Sequence, residues 1–185
     1  SVAGNIIDFG AAREFDLKAV IQQALSAEFA IYHLREFKQD LEQAKVILFL
    51  ADNAGETVFD RLLIEQMGKP VQYAVKSAPI LNDAVAEDAL SAGLDKVADI
   101  VETGTGIPGA DLKNSTPEFK RLFQSADLII SKGQGNYEML SENPEPLYFL
   151  LKAKCAILAR DLQVPSGSFI LKKGGGEVSP PAGII

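Results

Sequence analysis

Across residues 45–173 short apolar runs alternate with amphipathic stretches, and few folds accept that alternation. The strand candidates are 46–51, 71–75, 99–102, 128–131, 147–151 and 168–171. Helical patterns occupy 55–67, 83–92, 117–125, 136–141 and 155–162, between and after the runs. Strand, helix, strand in repetition implies a mainly parallel, Rossmann-like sheet. VILFL and LII are apolar throughout, as expected of strands covered on both faces. Residues 16–44 carry apolar side chains at roughly helical spacing and read as one or two helices in front of the sheet. The expected organisation is therefore a helical segment over 1–44, an α/β domain over 45–173 and a flexible tail over 174–185.

Parallel strands joined by helices send all their outgoing loops to one edge of the sheet, where open α/β sheets bind ligands. Three such loops carry chemistry here. VILFLADNAGE delivers Asp52, Asn53 and Glu56; VQYAVKSAPILND delivers Asn82 and Asp83; DLIISKGQGN delivers Lys132, Gly133, Gly135 and Asn136. Asp52 and Asn53 would point to opposite faces of a regular strand. They can meet one ion only where the strand breaks, and Ala54-Gly55 permits that break. Two carboxylates and an amide oxygen form a hard donor set suited to Mg²⁺ or Mn²⁺. Lys132 and the amides beside Gly133 and Gly135 would face a phosphate. Each loop also has a plainer reading. DNAGE suits a strand-to-helix turn, Asp83 suits a helix cap, and a lysine among glycines suits a solvated turn. Asp88 falls inside a helix and outside the ligand set.

Charge narrows the partners. With 18 Lys and Arg against 25 Asp and Glu the chain carries −7, and no basic stripe offsets it, so nucleic acid is not an expected partner. No apolar run reaches the roughly 18 residues of a membrane span. The single cysteine, Cys155, excludes an intrachain disulfide and fits a cytoplasmic protein. In its helical pattern it reads as a small buried hydrophobe. The single histidine, His33, cannot make a zinc site alone and reads as a packing or surface residue. No basic and apolar leader follows Ser1.

The stretch from Gly104 to Gly109 matches G-x-G-x-x-G and follows a strand candidate. Pro108 removes an amide that a pyrophosphate would need, and Pro117 is the better helix start. A loop that closes over a substrate, or presents backbone groups such as those at Gly104, fits better than a dinucleotide site.

GNIIDFG, LADNAGE, PILND, TGTGIPG and SKGQGNYE stand in this order along nearly the whole chain. In that combination the sequence resembles the domain-of-unknown-function family 89, the metal-dependent damage-control phosphatases, and SKGQGN is similar to their archaeal and bacterial branch. The resemblance implies a three-layer α/β/α fold and hydrolysis of small phosphate monoesters such as sugar phosphates, phosphopantetheine-like compounds or damaged phosphometabolites. It implies one divalent cation (Mg²⁺, Mn²⁺, Co²⁺ or Ni²⁺) on Asp52, Asn53 and Asp83. Lys132 would contact the phosphate, with Gly133, Gly135, Asn136 and Gly104 around the substrate. Asp52, Lys132 and Glu56 are the catalytic candidates, Glu56 as the residue that orients water. Family members carry a helical segment, often with a cysteine pair, before GNIIDFG; here three residues precede Gly4, so 1–44 reads as the remnant of a helical subdomain. Two other readings use the same sheet edge: a nucleotide- or S-adenosylmethionine-binding transferase, and a noncatalytic regulatory module that keeps the metal site.

Overall fold

The computed structural model describes residues 28–143 and 146–175. GNIIDFG, the first part of the expected leading helices and most of the expected tail lie outside those residues. Seven strands form one sheet: β1 (Phe29–Tyr32), β2 (Ile47–Leu50), β3 (Val71–Val75), β4 (Asp99–Glu102), β5 (Leu128–Lys132), β6 (Leu147–Lys152) and β7 (Phe169–Lys173). Their spatial order is β1-β7-β6-β5-β2-β3-β4. β2 to β6 are mutually parallel, β7 runs antiparallel to β6, and β1 runs parallel to β7.

Among the described residues six helices cover both faces: α1 (Leu34–Gln43), α2 (Thr57–Met67), α3 (Ala86–Ser91), α4 (Pro117–Ser125), α5 (Gly133–Leu140) and α6 (Ala156–Asp161). Alternation along each strand divides the core. Ile47 and Phe49 of β2 pack with Phe37 of α1, Ile64 of α2 and Ala89 of α3 on one side. Leu48 and Leu50 pack with Phe119 and Phe123 of α4, Leu140 of α5 and Leu158 of α6 on the other. The result is the expected three-layer α/β/α architecture. α4 starts where Pro117 and its predecessor place it, with Thr116 Oγ1 accepting from the Phe119 amide at 3.2 Å. Among the described residues no helix is long and apolar enough to cross a membrane.

One segment differs from the sequence expectation. Within the described part of that span, residues 29–32 form an edge strand, not helix, and 34–43 are helical. The stretch FAIY is short and locally ambiguous; its pairing with β7, about 140 residues away, selects the strand. His33 follows β1 and its Nδ1 accepts from the Lys173 amide at 3.0 Å, tying the end of β1 to β7.

The chain runs outward from β2 through β3 to β4, then returns to place β5 on the other side of β2. The strand order thus reverses between β2 and β5. At such a switch point the outgoing loops splay apart and leave a crevice. Asp52 leaves β2 and Gly133 follows β5 at that place.

Candidate active site

The β2 and β3 exits are laced together. Asn53 and Asp83 form an isolated antiparallel bridge; the Ala54 amide donates to Asn82 O and the Ala84 amide to Asp52 O, both at 2.8 Å. Asn53 keeps extended backbone angles and a 3-10 turn begins at Ala54, the strand break that lets Asp52 and Asn53 share one site. Asp83 does not cap a helix. Val85 precedes α3, and Asp88 Oδ2 accepts from the Val85 amide at 3.0 Å, so Asp88 is a capping residue away from the ligand set.

From the β5 side the backbone comes close to Asp52. Gly133 has φ +78°, and a Cβ there would lie well inside 3.0 Å of the Asp52 carboxylate. Gly133→Ala should therefore displace that carboxylate and strain the turn. We expect a lower melting temperature and loss of any Mn²⁺-induced stabilisation, both read from thermal melts. A variant that melts and responds to Mn²⁺ like the wild type would contradict this packing.

Lys132 and Glu56 stand elsewhere than the sequence suggested. Lys132 is the last residue of β5, fully buried, and its ammonium bonds Glu56 Oε2 and, at 2.9 Å, Asp60 Oδ1. Burial acts to lower the Lys132 pKa, but Asp60 and Glu56 outweigh it and hold the ammonium above its ordinary range. Glu56 is 0% exposed as well, its pKa raised chiefly by burial, so no bulk water reaches it to be oriented. The pair instead begins a chain of support. The Tyr73 hydroxyl donates to Asp60 Oδ2 at 3.0 Å, Lys132 joins Asp60 to Glu56, and Glu56 Oε1 accepts from Asn53 Nδ2 at 2.7 Å. Asn53 Nδ2 also donates to Asp52 Oδ2 at 3.0 Å. With its amide hydrogens directed at carboxylates, Asn53 has its carbonyl oxygen left for a ligand.

A cavity of about 230 Å³ opens at this point, lined by Asp52, Asn53, Asp83, Gln134, Gly135 and Lys154, with Glu138, Leu81, Asn82, Pro108 and Gly109 completing the wall. A larger crevice of about 570 Å³ lies at the opposite edge, where β3 and β4 begin, and holds none of these groups. The structure thus brings Asp52, Asn53, Asp83 and Gly135 together. Lys132, Glu56, Gly133, Asn136 and Gly104 do not line the cavity. Asn136 Nδ2 instead donates to Ala51 O at 3.0 Å and Lys132 O at 2.8 Å, tying the two loops. Gly104 is exposed and its amide donates to Ser77 Oγ at 2.7 Å; its loop reaches the cavity farther on, through Pro108 and Gly109.

Sequence reasoning passed over Lys154 and Lys76. Both follow strand ends at the same carboxyl edge, a signal that applied to them as much as to Asp52. Among the described residues Lys154 is the lysine on the cavity wall, and its charge acts to lower the Asp52 pKa. That carboxyl is nevertheless pushed up to about 7, first by burial, then by the charge of Glu56 and, more weakly, Asp83. Burial likewise raises Asp83, against the pull of Lys76. Two carboxyls that resist ionising, on one cavity wall with the Asn53 side chain, fit a hard divalent cation. Among the described residues no three His, Cys, Asp or Glu side chains group for a metal, so Asn53 is essential to that fit. Cys155 is half-buried at the start of α6, accepting from the Leu158 amide at 3.4 Å and from Gln134 Nε2 at 3.2 Å. It caps a helix and steadies a cavity residue, where burial alone was expected.

A sequence model of the damage-control phosphatase ARMT1-like domain matches residues 1–170. An uncharacterized protein of Methanocaldococcus jannaschii is 42% identical over 94% of this chain and 60% of its own length. A damage-control phosphatase of Pyrococcus horikoshii is 42% identical over 92% of this chain and 61% of its own. One of Archaeoglobus fulgidus is 36% identical over 93% and 62%. A crystal structure of a DUF89 family protein from Pyrococcus horikoshii superposes with TM-score 0.86 at 40% identity, over 94% of this chain and 63% of that one. The chain thus spans about six-tenths of the length of the relatives it matches.

Proposed function

Since the chain belongs to the damage-control phosphatase ARMT1-like domain family, we infer that it hydrolyses small phosphate monoesters in the cavity at the β2/β5 switch point, with one divalent cation on Asp52, Asn53 and Asp83. The observation that carries this reading is the convergence of those three oxygen donors and Lys154 on one cavity of about 230 Å³. A cation bound there would neutralise phosphate charge and polarise a phosphoryl oxygen. The remaining work belongs to the chain. Lys154, on the wall of the same cavity, meets phosphate oxygens and offsets charge that builds on them during P–O cleavage. Backbone groups at Gly109 and Gly135 shape the space around the phosphate. Lys132 and Glu56 act one layer back, fixing Asn53, and through it Asp52, in the geometry the reaction needs.

The deciding experiment is a phosphate-release screen over sugar phosphates, phosphopantetheine-like compounds and nucleotides, with Mg²⁺, Mn²⁺, Co²⁺ and Ni²⁺ in turn. We expect turnover of at least one class, lost with a chelator and lost in Lys154→Met. No release with any cation, from protein shown to bind that cation, would leave the noncatalytic reading standing.

A further inference from the structure

Lys76 is a buried cation beside the site that the proposed chemistry leaves unused. It follows β3 directly and its side chain is 5% exposed. Its ammonium donates to the Gly109 carbonyl oxygen, and the Asp83 carboxylate lies 3.7 Å away. Its backbone is pinned too, the Lys76 amide donating to Ala84 O at 2.9 Å. Burying a lysine forfeits hydration and rotamer freedom, so the carbonyl and carboxylate that receive it define its role.

What it holds is the middle of the loop over residues 104–116. The start of that loop is tied to Ser77: the Ser77 amide donates to Thr105 O at 3.0 Å, and Ser77 Oγ accepts from the Gly104 amide. Lys76 reaches farther, to the turn where Pro108 and Gly109 form cavity wall. Gly109 has φ +75° and packs on the β5 exit so closely that a Cβ would sit 2.6 Å from Gly135 O. Gly109 has no side chain of its own to anchor it there.

The geometry points to Lys76 as a positioning residue with two opposed effects: it seats residues 108–109 against the phosphate ester, and its charge beside Asp83 weakens the hold on the divalent cation. This deepens the phosphatase reading and rests on it. The two effects separate Lys76 from an ordinary structural tether. Removing the ammonium frees the turn and weakens substrate binding, while removing a positive charge beside a cation ligand tightens cation binding. A general loosening of the fold would weaken both.

Lys76→Met keeps length and approximate volume without charge or donor. For the best ester in the screen we expect KM to rise about tenfold or more while kcat stays within about threefold. Titration with Mn²⁺ alone should show a dissociation constant about threefold lower or better, since the opposing charge is gone. Hydrogen exchange of amides over residues 105–110 should accelerate about tenfold while β2 and β5 stay protected. Weaker or unchanged Mn²⁺ binding, or a turn that exchanges as in the wild type, overturns the proposal. A wild-type protein without turnover refutes the phosphatase reading instead, and the Mn²⁺ and exchange measurements still decide the role of Lys76. If Lys76→Met does not fold, Lys76→Gln, neutral and shorter, is put through the same measurements with the same expected signs and the same overturning results.

Discussion

Lys132→Ala should be among the most destabilising single changes in this protein. The substitution leaves Glu56 and Asp60, both 0% exposed, facing each other without their counter-ion. Breaking a buried pair by removing one partner costs about 3–5 kcal/mol, and each kcal/mol is worth about 2–4 °C in a chain of this size. A fall in melting temperature of about ten degrees or more is therefore expected. The deficit should shrink in acid. Without Lys132 the Glu56 carboxyl is raised further above its unfolded value, so the folded variant holds a proton that the unfolded chain has released, and lowering pH restores stability. A variant within about 1 kcal/mol of wild type at neutral pH would mean that the ammonium reaches solvent. Lost turnover in Lys132→Ala would accordingly not identify a phosphate contact; Lys154→Met, on an exposed side chain, is the cleaner probe.

The cation itself should change stability most through Asp52. Its carboxyl is held at about 7 when folded, from a usual value of 3.8. Between those values the folded state keeps a proton that the unfolded state has lost, so metal-free stability falls as pH rises through that window and levels off above it. A divalent cation held by this carboxylate would compete with that proton. The rise in melting temperature caused by saturating Mn²⁺ or Mg²⁺ should therefore be small near about pH 5, where the cation must expel the proton, and largest above about pH 7. Asp52→Asn keeps the shape but removes the charge. It should melt higher than the wild type without metal above about pH 7, respond little to metal, and release no phosphate. Melts of both proteins across this range, with and without metal, supply the check. Equal metal-induced shifts in the two would place the cation away from Asp52.

Much of this architecture can be read from the chain because periodicity and turn chemistry agree. The 117–125 helix is marked at the sequence level by Pro117 at its start, and the structure adds Thr116 as its cap. β2 and β5 are apolar on both faces because helices cover both. The edge strand at 29–32 is different: four residues embedded in a helix-like pattern take their conformation from a partner strand far along the chain. The site divides the same way. Asp52, Asn53 and Asp83 meet because strand order alone brings their loops together. Lys132 was assigned from its glycine neighbours, but strand parity governs it: Ile130 faces the α2 side, so Lys132 two residues on does too. Asp60, four residues after Glu56, shares its helical face, yet nothing nearby in sequence announces the lysine that pairs with both.

β5, β2 and β3 are neighbours in space, but Lys132 and Glu56 stand 76 positions apart in the chain. A nascent or truncated chain ending before residue 128 can hold β2 and β3 together with Asp52 and Asp83, yet it lacks the ammonium that makes the buried carboxylates tolerable. Closing such distant pairings is slow, because loop entropy is lost before contacts compensate. The return of β5 to β2 is therefore expected to be a late, slow event in folding, and the order of Asp52, Asn53 and Asp83 a report that these central strands have joined.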